Sequence, residues 1–182
     1  MGRAVAVVGM PGCGKGVLSE LVAEAGLPVY SMGDMIRREV ESRGLAGDPH
    51  VFGEVAQQMR DEHGYGVLAT RLAPLIDEVL SNYSLVLIEG MRGIAERDVF
   101  ADCWGDDFMV VAIVADSKTR LQRISLRGRA EDGDKEAFEM RDERESGWGV
   151  EMLMQQANWT LDNSSDIGTF KNLSTRWLNS LI

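Results

Sequence analysis

The sequence predicts an α/β fold of three layers, a mostly parallel sheet of about five strands with helices on both faces. Three observations carry that expectation. Short apolar runs with β-branched residues alternate along the chain with longer segments of helical periodicity. Those runs lack a polar face, as strands covered on both sides do. The first of them passes through a glycine-rich turn directly into a segment of helical spacing, so strand, loop and helix follow in order. At 182 residues the chain, 1–182, is expected to form a single domain with its own core.

Residues 4–10 form the first apolar run, a strand bounded by glycines. After the glycine turn Val17, Leu18, Leu21, Val22 and Ala25 recur at helical spacing, and Gly26 stops the pattern. Residues 28–32 read as a brief second strand, with a polar helix starting at Asp34. Helices are expected over 51–63, 67–80, 94–103, 118–127, 135–145 and 174–181; Pro74 should kink or divide the second of these. Further strands are expected at 85–88, 108–115 and 157–161. The glycine- and charge-rich stretch 128–149 holds few apolar residues and reads either as a flap or as a solvated helix.

Charge and composition exclude several functions. Nineteen basic residues against 29 acidic give a net charge of −10, which offers no long-range attraction to nucleic acid or to an anionic membrane. Neither is expected as a partner. Any anionic ligand must then be held by a local cluster of positive groups. The longest apolar run, 108–115, falls far short of the roughly 20 residues that span a bilayer. Cys13 and Cys103 have no metal-type spacing, so a reducing, cytoplasmic setting is expected. The N-x-[ST] matches at Asn82, Asn158, Asn163 and Asn172 read as chance, and His50 and His63 are assigned no role.

The strongest chemical signal is Gly9-Met10-Pro11-Gly12-Cys13-Gly14-Lys15-Gly16, which fits G-x-x-x-x-G-K between a strand and a helix. Glycines let several backbone N–H groups converge on phosphate oxygens at a helix N-terminus, where the dipole also favours negative charge. Lys15 adds a full positive charge for the β- and γ-phosphates. The alternative is a glycine turn with a surface lysine. Cys13 reads as a small loop residue. Gly16 and Val17 stand where a hydroxyl usually follows the lysine, so carboxylate and water must carry any metal. Glu89 ends the 85–88 strand and emerges at the carboxyl edge of the sheet, where open α/β folds bind ligands; its other reading is a helix cap. Arg120, Arg123 and Arg127 share one helix face, and Arg141 and Arg144 are neighbours on another, either as a phosphate-binding group or as solvated faces paired with acids.

Lys15-Gly16, then Ser31-Met32-Gly33-Asp34-Met35-Ile36-Arg37, then Glu89-Gly90-Met91-Arg92 resemble the successive signatures of adenylate kinases and other nucleoside monophosphate kinases. Dephospho-coenzyme A kinases share the plan more loosely. An archaeal group of adenylate-kinase-related proteins, with a short lid and a strand-ending acid–Gly–x–Arg, is most similar. The resemblance implies a P-loop NTPase fold with an acceptor-binding insertion at 33–65 and a short lid at 128–149. It implies ATP and Mg²⁺ as cofactors and a small nucleotide as substrate. Residues Gly9 to Val17, which are Gly9, Met10, Pro11, Gly12, Cys13, Gly14, Lys15, Gly16 and Val17, would hold ATP together with Arg123, Arg127, Arg129 and Arg144. Ser31, Gly33, Arg37, Gly90 and Arg92 would hold the acceptor. Lys15, Asp34, Glu89, Arg127 and Arg141 would act in catalysis, and Glu89 and Asp34 would hold the metal, directly or through water.

Departures from the family are visible. Glu89 replaces Asp, the proline before the arginine is missing, Val17 replaces a hydroxyl residue, and the lid lacks zinc-type cysteines. Transfer of the γ-phosphoryl group to a nucleoside monophosphate is the favoured expectation, with dephospho-coenzyme A next. For a hydroxyl acceptor, Asp34 would be the base. The alternatives are a nucleotide-binding switch or weak ATPase without efficient transfer, and an ATPase serving a macromolecular partner. The four tryptophans read as packing residues.

Overall fold

The computed structural model describes residues 2–46, 49–127 and 134–182. Its elements run β1 (Arg3–Val8), α1 (Lys15–Glu24), β2 (Val29–Ser31), α2 (Met32–Ser42), α3 (Pro49–His63), α4 (Val67–Leu80), β3 (Leu85–Glu89) and α5 (Ile94–Trp104). A 3-10 turn at Gly105–Asp107 leads to β4 (Phe108–Val114), followed by α6 (Ser117–Arg127), α7 (Lys135–Trp148), α8 (Val150–Gln155), β5 (Trp159–Asp162) and α9 (Ile167–Asn179). The strands form one five-stranded sheet in the order β2-β3-β1-β4-β5, and every pairing is parallel.

Alternation along the central strands sorts side chains to two cores. Ala4, Ala6 and Val8 of β1, with Val86 and Ile88 of β3 and Val110 and Ala112 of β4, face α4, α5 and α8, where Leu72, Ile76, Phe100 and Leu153 are buried. Val5 and Val7, with Leu85, Leu87, Val111 and Ile113, face α1 and α9, where Leu18, Val22, Phe170 and Trp177 close the layer. This is why the strand sequences are continuously apolar: each residue has a helix above or below it. The chain leaves β1 for β2 at one edge, returns to β3 beside β1, and then passes β1 to reach β4 and β5 on the other side, so the strand order reverses at β1, and the crevice at its carboxyl end is where such folds place ligands.

Several expected boundaries move. The second helix begins at Met32 rather than Asp34, because Ser31 is still extended and leaves Asp34 in the first turn, where a carboxylate suits the helix dipole. Helix α4 runs unbroken through Pro74. The proline is solvent-exposed, while Leu72, Ala73 and Ile76 on the opposite side are buried and hold the helix together across it. The last helix starts at Ile167 instead of residue 174: Asp166 caps it, accepting from the Thr169 N–H at 3.0 Å, and a buried Ser174 interrupts the apolar pattern. Gly149, in the left-handed conformation, separates α7 from a short α8 that the periodicity did not suggest. Among the described residues, no helix is long and apolar enough to cross a membrane.

Candidate functional site

The glycine loop emerges from β1 and turns into α1 at Gly14, which adopts φ +107°. A side chain there would be strained, and its Cβ would lie 2.2 Å from the Asn163 amide nitrogen. Asn163 follows β5, is 4 % exposed, and donates to the Cys13 carbonyl at 2.8 Å. Arg123 of α6 in turn donates to the Asn163 carbonyl at 2.8 Å, and to that of Ser165 at 3.3 Å. Arg120 braces the loop from another side, donating to the Pro11 carbonyl at 3.0 Å and pairing with Asp142 of α7. Its guanidinium also lies over the Phe138 ring. Cys13 is buried in the α1–α9 core, and Val17 packs against the same cluster, so both are packing residues of the loop.

Lys15, the first residue of α1, folds back over the loop. Its Nζ donates to the carbonyl oxygens of Gly9 and, at 3.3 Å, Met10, and lies 3.8 Å from the Cys13 sulfur. Burial pulls the ammonium below its usual pKa; Cys13 opposes that, Arg92 adds to it, and Glu145 and Arg141 act with opposite signs. Charges from the β3–α5 connection and from α7 therefore act on Lys15.

The charge linking them is Glu145. Its carboxylate is 3 % exposed, accepts from Arg141 Nε at 3.3 Å, and stands 3.4 Å from Arg92 Nε. That last contact is an ion pair whose geometry is not a hydrogen bond, which leaves Oε2 without a hydrogen-bond partner. The acid thus joins Arg92, expected on the acceptor side, to Arg141 of the expected lid.

Glu89 ends β3, in register with Val7 of β1 and Ser31 of β2. Its partner is the hydroxyl of Ser19 on α1. The turn after it needs Gly90 at φ +92°, where a Cβ would come within 3.3 Å of Met32 Cβ and 3.5 Å of the Gly33 nitrogen. The Ser31–Gly33 segment and the Glu89–Gly90 turn are thereby neighbours. Asp34 pairs with Arg37 on the same exposed helix turn, the two side chains being 51 % and 63 % exposed.

Beside Arg92 lies a cavity of about 230 Å³, lined also by Arg60, Tyr65, residues 93–96 and Trp148. Arg60 and Arg144 both lie over the Trp148 ring at 5.4 Å. Arg60 pairs with the buried Glu96 at 3.2 Å, while Glu96 accepts from the Arg92 and Gly93 backbone N–H groups at the start of α5. Burial pushes the Glu96 carboxyl up in pKa, against the pull of those donors and of Arg60.

Six of the expected arginines are thus placed: Arg37 with Asp34, Arg120 against the glycine loop, Arg123 of α6 donating to the loop after β5, Arg141 with Glu145, Arg144 over Trp148, and Arg92 beside the cavity. The Arg127 side chain and Arg129 lie outside the described residues, as do 128–133 of the expected lid. Sequence reasoning missed Ser19, Glu96, Glu145 and Asn163. The buried acids carried one usable signal, since Glu96 stands three residues after Gly93 as a helix-capping acid does.

A glycine loop after the central strand, a lysine at the start of the next helix and a parallel 2-3-1-4-5 sheet define a P-loop protein of kinase-like fold. A family model described as an AAA domain matches residues 8–139. The chain belongs to the UPF0200 family: it is 39 % identical over 168 residues to a UPF0200 protein of Halobacterium salinarum, covering 92 % of this chain and 88 % of that one. It is 38 % identical to a UPF0200 protein of Methanosarcina mazei, covering 94 % and 91 %. Among solved structures, TT1252 from Thermus thermophilus is similar with a TM-score of 0.69 at 19 % identity, covering 100 % of this chain and 98 % of that one. Shikimate kinase from Acinetobacter baumannii, in complex with shikimate, aligns with a TM-score of 0.58 at 18 % identity, covering 99 % and 93 %. At such identities these structures share the fold.

Proposed function

We propose that the protein is a phosphotransferase that moves the γ-phosphoryl group of ATP to a small nucleotide or nucleotide-like acceptor, a nucleoside monophosphate before dephospho-coenzyme A. The observation that carries this reading is the Glu145 carboxylate, which brings Arg92 and Arg141 together near Lys15. An ATPase needs cations around one nucleotide; a kinase needs a second set facing an acceptor. The relation to adenylate-kinase-type enzymes is part of the same proposal.

In this reading the loop N–H groups and Lys15 hold the donor phosphates. Arg92 and Arg37 hold the acceptor phosphate, with Ser31, Gly33 and Gly90 shaping its seat. Arg123, Arg127, Arg129 and Arg144 serve the donor, and Arg141 carries charge toward the transferred group. The carboxylate of Glu89, held by Ser19, offers hard oxygen donors that fit Mg²⁺, which would neutralise phosphate charge when bound. A hydroxyl acceptor would need Asp34 to leave Arg37 and act as base. Helix α7, with 128–149 as the lid, would exclude water.

The test is transfer from labelled ATP and Mg²⁺ to a panel of nucleoside monophosphates and dephospho-coenzyme A, beside Lys15→Ala and an acceptor-free blank. We expect a labelled product with one acceptor that vanishes in the variant. ATP binding without transfer would favour a nucleotide-binding switch, the reading to which the missing hydroxyl at Gly16 and Val17 lends weight.

A further inference from the structure

A phosphate loop ordinarily supplies a hydroxyl just after its lysine, and this one supplies none, since Gly16 and Val17 occupy those places. Ser19 lies on the same helix, four residues from Lys15 and three from Gly16, so it projects from the same face about one turn, roughly 5.4 Å, further on. Its hydroxyl meets Glu89 Oε1; the Lys15 carbonyl, at 3.2 Å, is the more distant of its two acceptors. A serine has one proton to give, and a carboxylate is the stronger acceptor for it; so donated, it leaves two lone pairs on the hydroxyl oxygen. Glu89 makes no other hydrogen bond among the described residues.

We propose that Ser19 replaces the missing loop hydroxyl from one turn further along α1, as a positioning residue that fixes Glu89 for a nucleotide-bound divalent cation. The two departures compensate: the strand-ending acid is one methylene longer than aspartate, and the hydroxyl it meets is set back by one turn. Glu89 is the last residue of β3 and stands opposite Val7, so its carboxylate passes before the root of the phosphate loop to reach α1. With Oε1 held, Oε2 is left to face the cation or one of its waters. Mg²⁺ suits such a site, because it takes one or two carboxylates and fills the rest of its octahedron with water and phosphate oxygens.

This inference rests on the reading of the protein as a binder of ATP with a metal. The test uses Mn²⁺ as the probe, titrated by electron paramagnetic resonance into the intact protein loaded with ADP, with ADP affinity in EDTA measured separately. Removing a group that orients a metal ligand typically costs about 10–100-fold in metal affinity. Ser19→Ala is expected to weaken Mn²⁺ binding by that amount and leave ADP affinity in EDTA unchanged, whereas Ser19→Thr retains the wild-type value. A Cβ at Gly16 would meet nothing within 4 Å, so adding Gly16→Ser to Ser19→Ala should restore part of the metal affinity by offering the cation a hydroxyl of its own from the usual place. Unchanged Mn²⁺ affinity in Ser19→Ala overturns the proposal, and so does an equal loss of ADP binding in EDTA, which would mark Ser19 as a prop of the loop. Failure of the wild-type chain to bind ADP at all would instead overturn the functional reading beneath it.

Discussion

If the loop holds ATP as proposed, Lys15 would couple the charge state of the loop to that ligand. Burial lowers its pKa from the usual 10.5, and the phosphates of a bound nucleotide would raise it again. On that reading ATP affinity is expected to be full while the free protein holds Lys15 protonated. It falls as pH climbs above the free-state value, so the decline begins below 10.5. Calorimetric titrations across the alkaline range should show that fall together with proton uptake on binding; a flat profile from neutral pH to 10.5 would contradict it. Asn163 carries a second expectation at this scale. Asn163→Ala leaves the buried Cys13 carbonyl without its donor, at a cost of about 1–3 kcal/mol in denaturant unfolding, and should weaken ATP binding by loosening the loop. The residues fixed by a local motif were legible in the sequence: the glycine loop, Lys15, and Glu89 with Arg92 at a strand end. Asn163, 150 positions from Cys13, was not, because only the return of β5 to the sheet brings it there. Ser19 and Glu145 escaped for the same reason: a lone serine or glutamate on a helix looks alike wherever it points.

At the level of elements, α7 is tied to the rest of the site by charge. Asp142 pairs with Arg120 of α6, and Glu145 reaches Arg92 beyond β3. Glu145→Ala leaves Arg92 and Arg141, 21 % and 28 % exposed, facing each other without the acid, and partial solvent access holds the loss to about 1–3 kcal/mol. Saturating ATP should recover part of that loss, since phosphates would supply the missing negative charge; thermal melts of both proteins with and without ATP check this. Helix α4 offers a case of opposite sign. Pro74 lies mid-helix, exposed, and gives up one backbone hydrogen bond. Pro74→Ala should stabilise the protein by about 1–3 kcal/mol in urea unfolding, while unchanged stability would mean that the surrounding helix has already absorbed the proline. Sequence periodicity located the strands well because continuous apolar runs survive any choice of neighbour. It failed at helix ends, where Asp166 capping and the extended Ser31 decide the boundary.

For the whole molecule, one sheet serves two cores, so neither can melt while the other stays folded. Trp104 reports on the α4–α5 side and Trp177 on the α1–α9 side. Leu72→Ala, deep in the first core, should cost about 2–5 kcal/mol and lower both tryptophan transitions together. Separate midpoints in single-tryptophan variants would show that the layers unfold independently. The three-layer class followed from alternation alone, and the acidic balance led to the expectation of a local concentration of cations around any anionic ligand. Where those cations would be neutralised was hidden, because the acids beside them are supplied by other segments of the chain.

The indole of Trp148, between guanidinium groups from α3 and α7 and beside Arg92, is also an intrinsic fluorophore. Its emission depends on how those cations sit against it, so any anion that draws Arg144 or Arg92 away will change its colour and brightness. Trp104, Trp159 and Trp177 lie elsewhere, two in the cores and one on β5. If ligands seat there as proposed, the chain contains its own unlabelled optical gauge of their arrival, readable on the stopped-flow timescale once the other three indoles are replaced by phenylalanine.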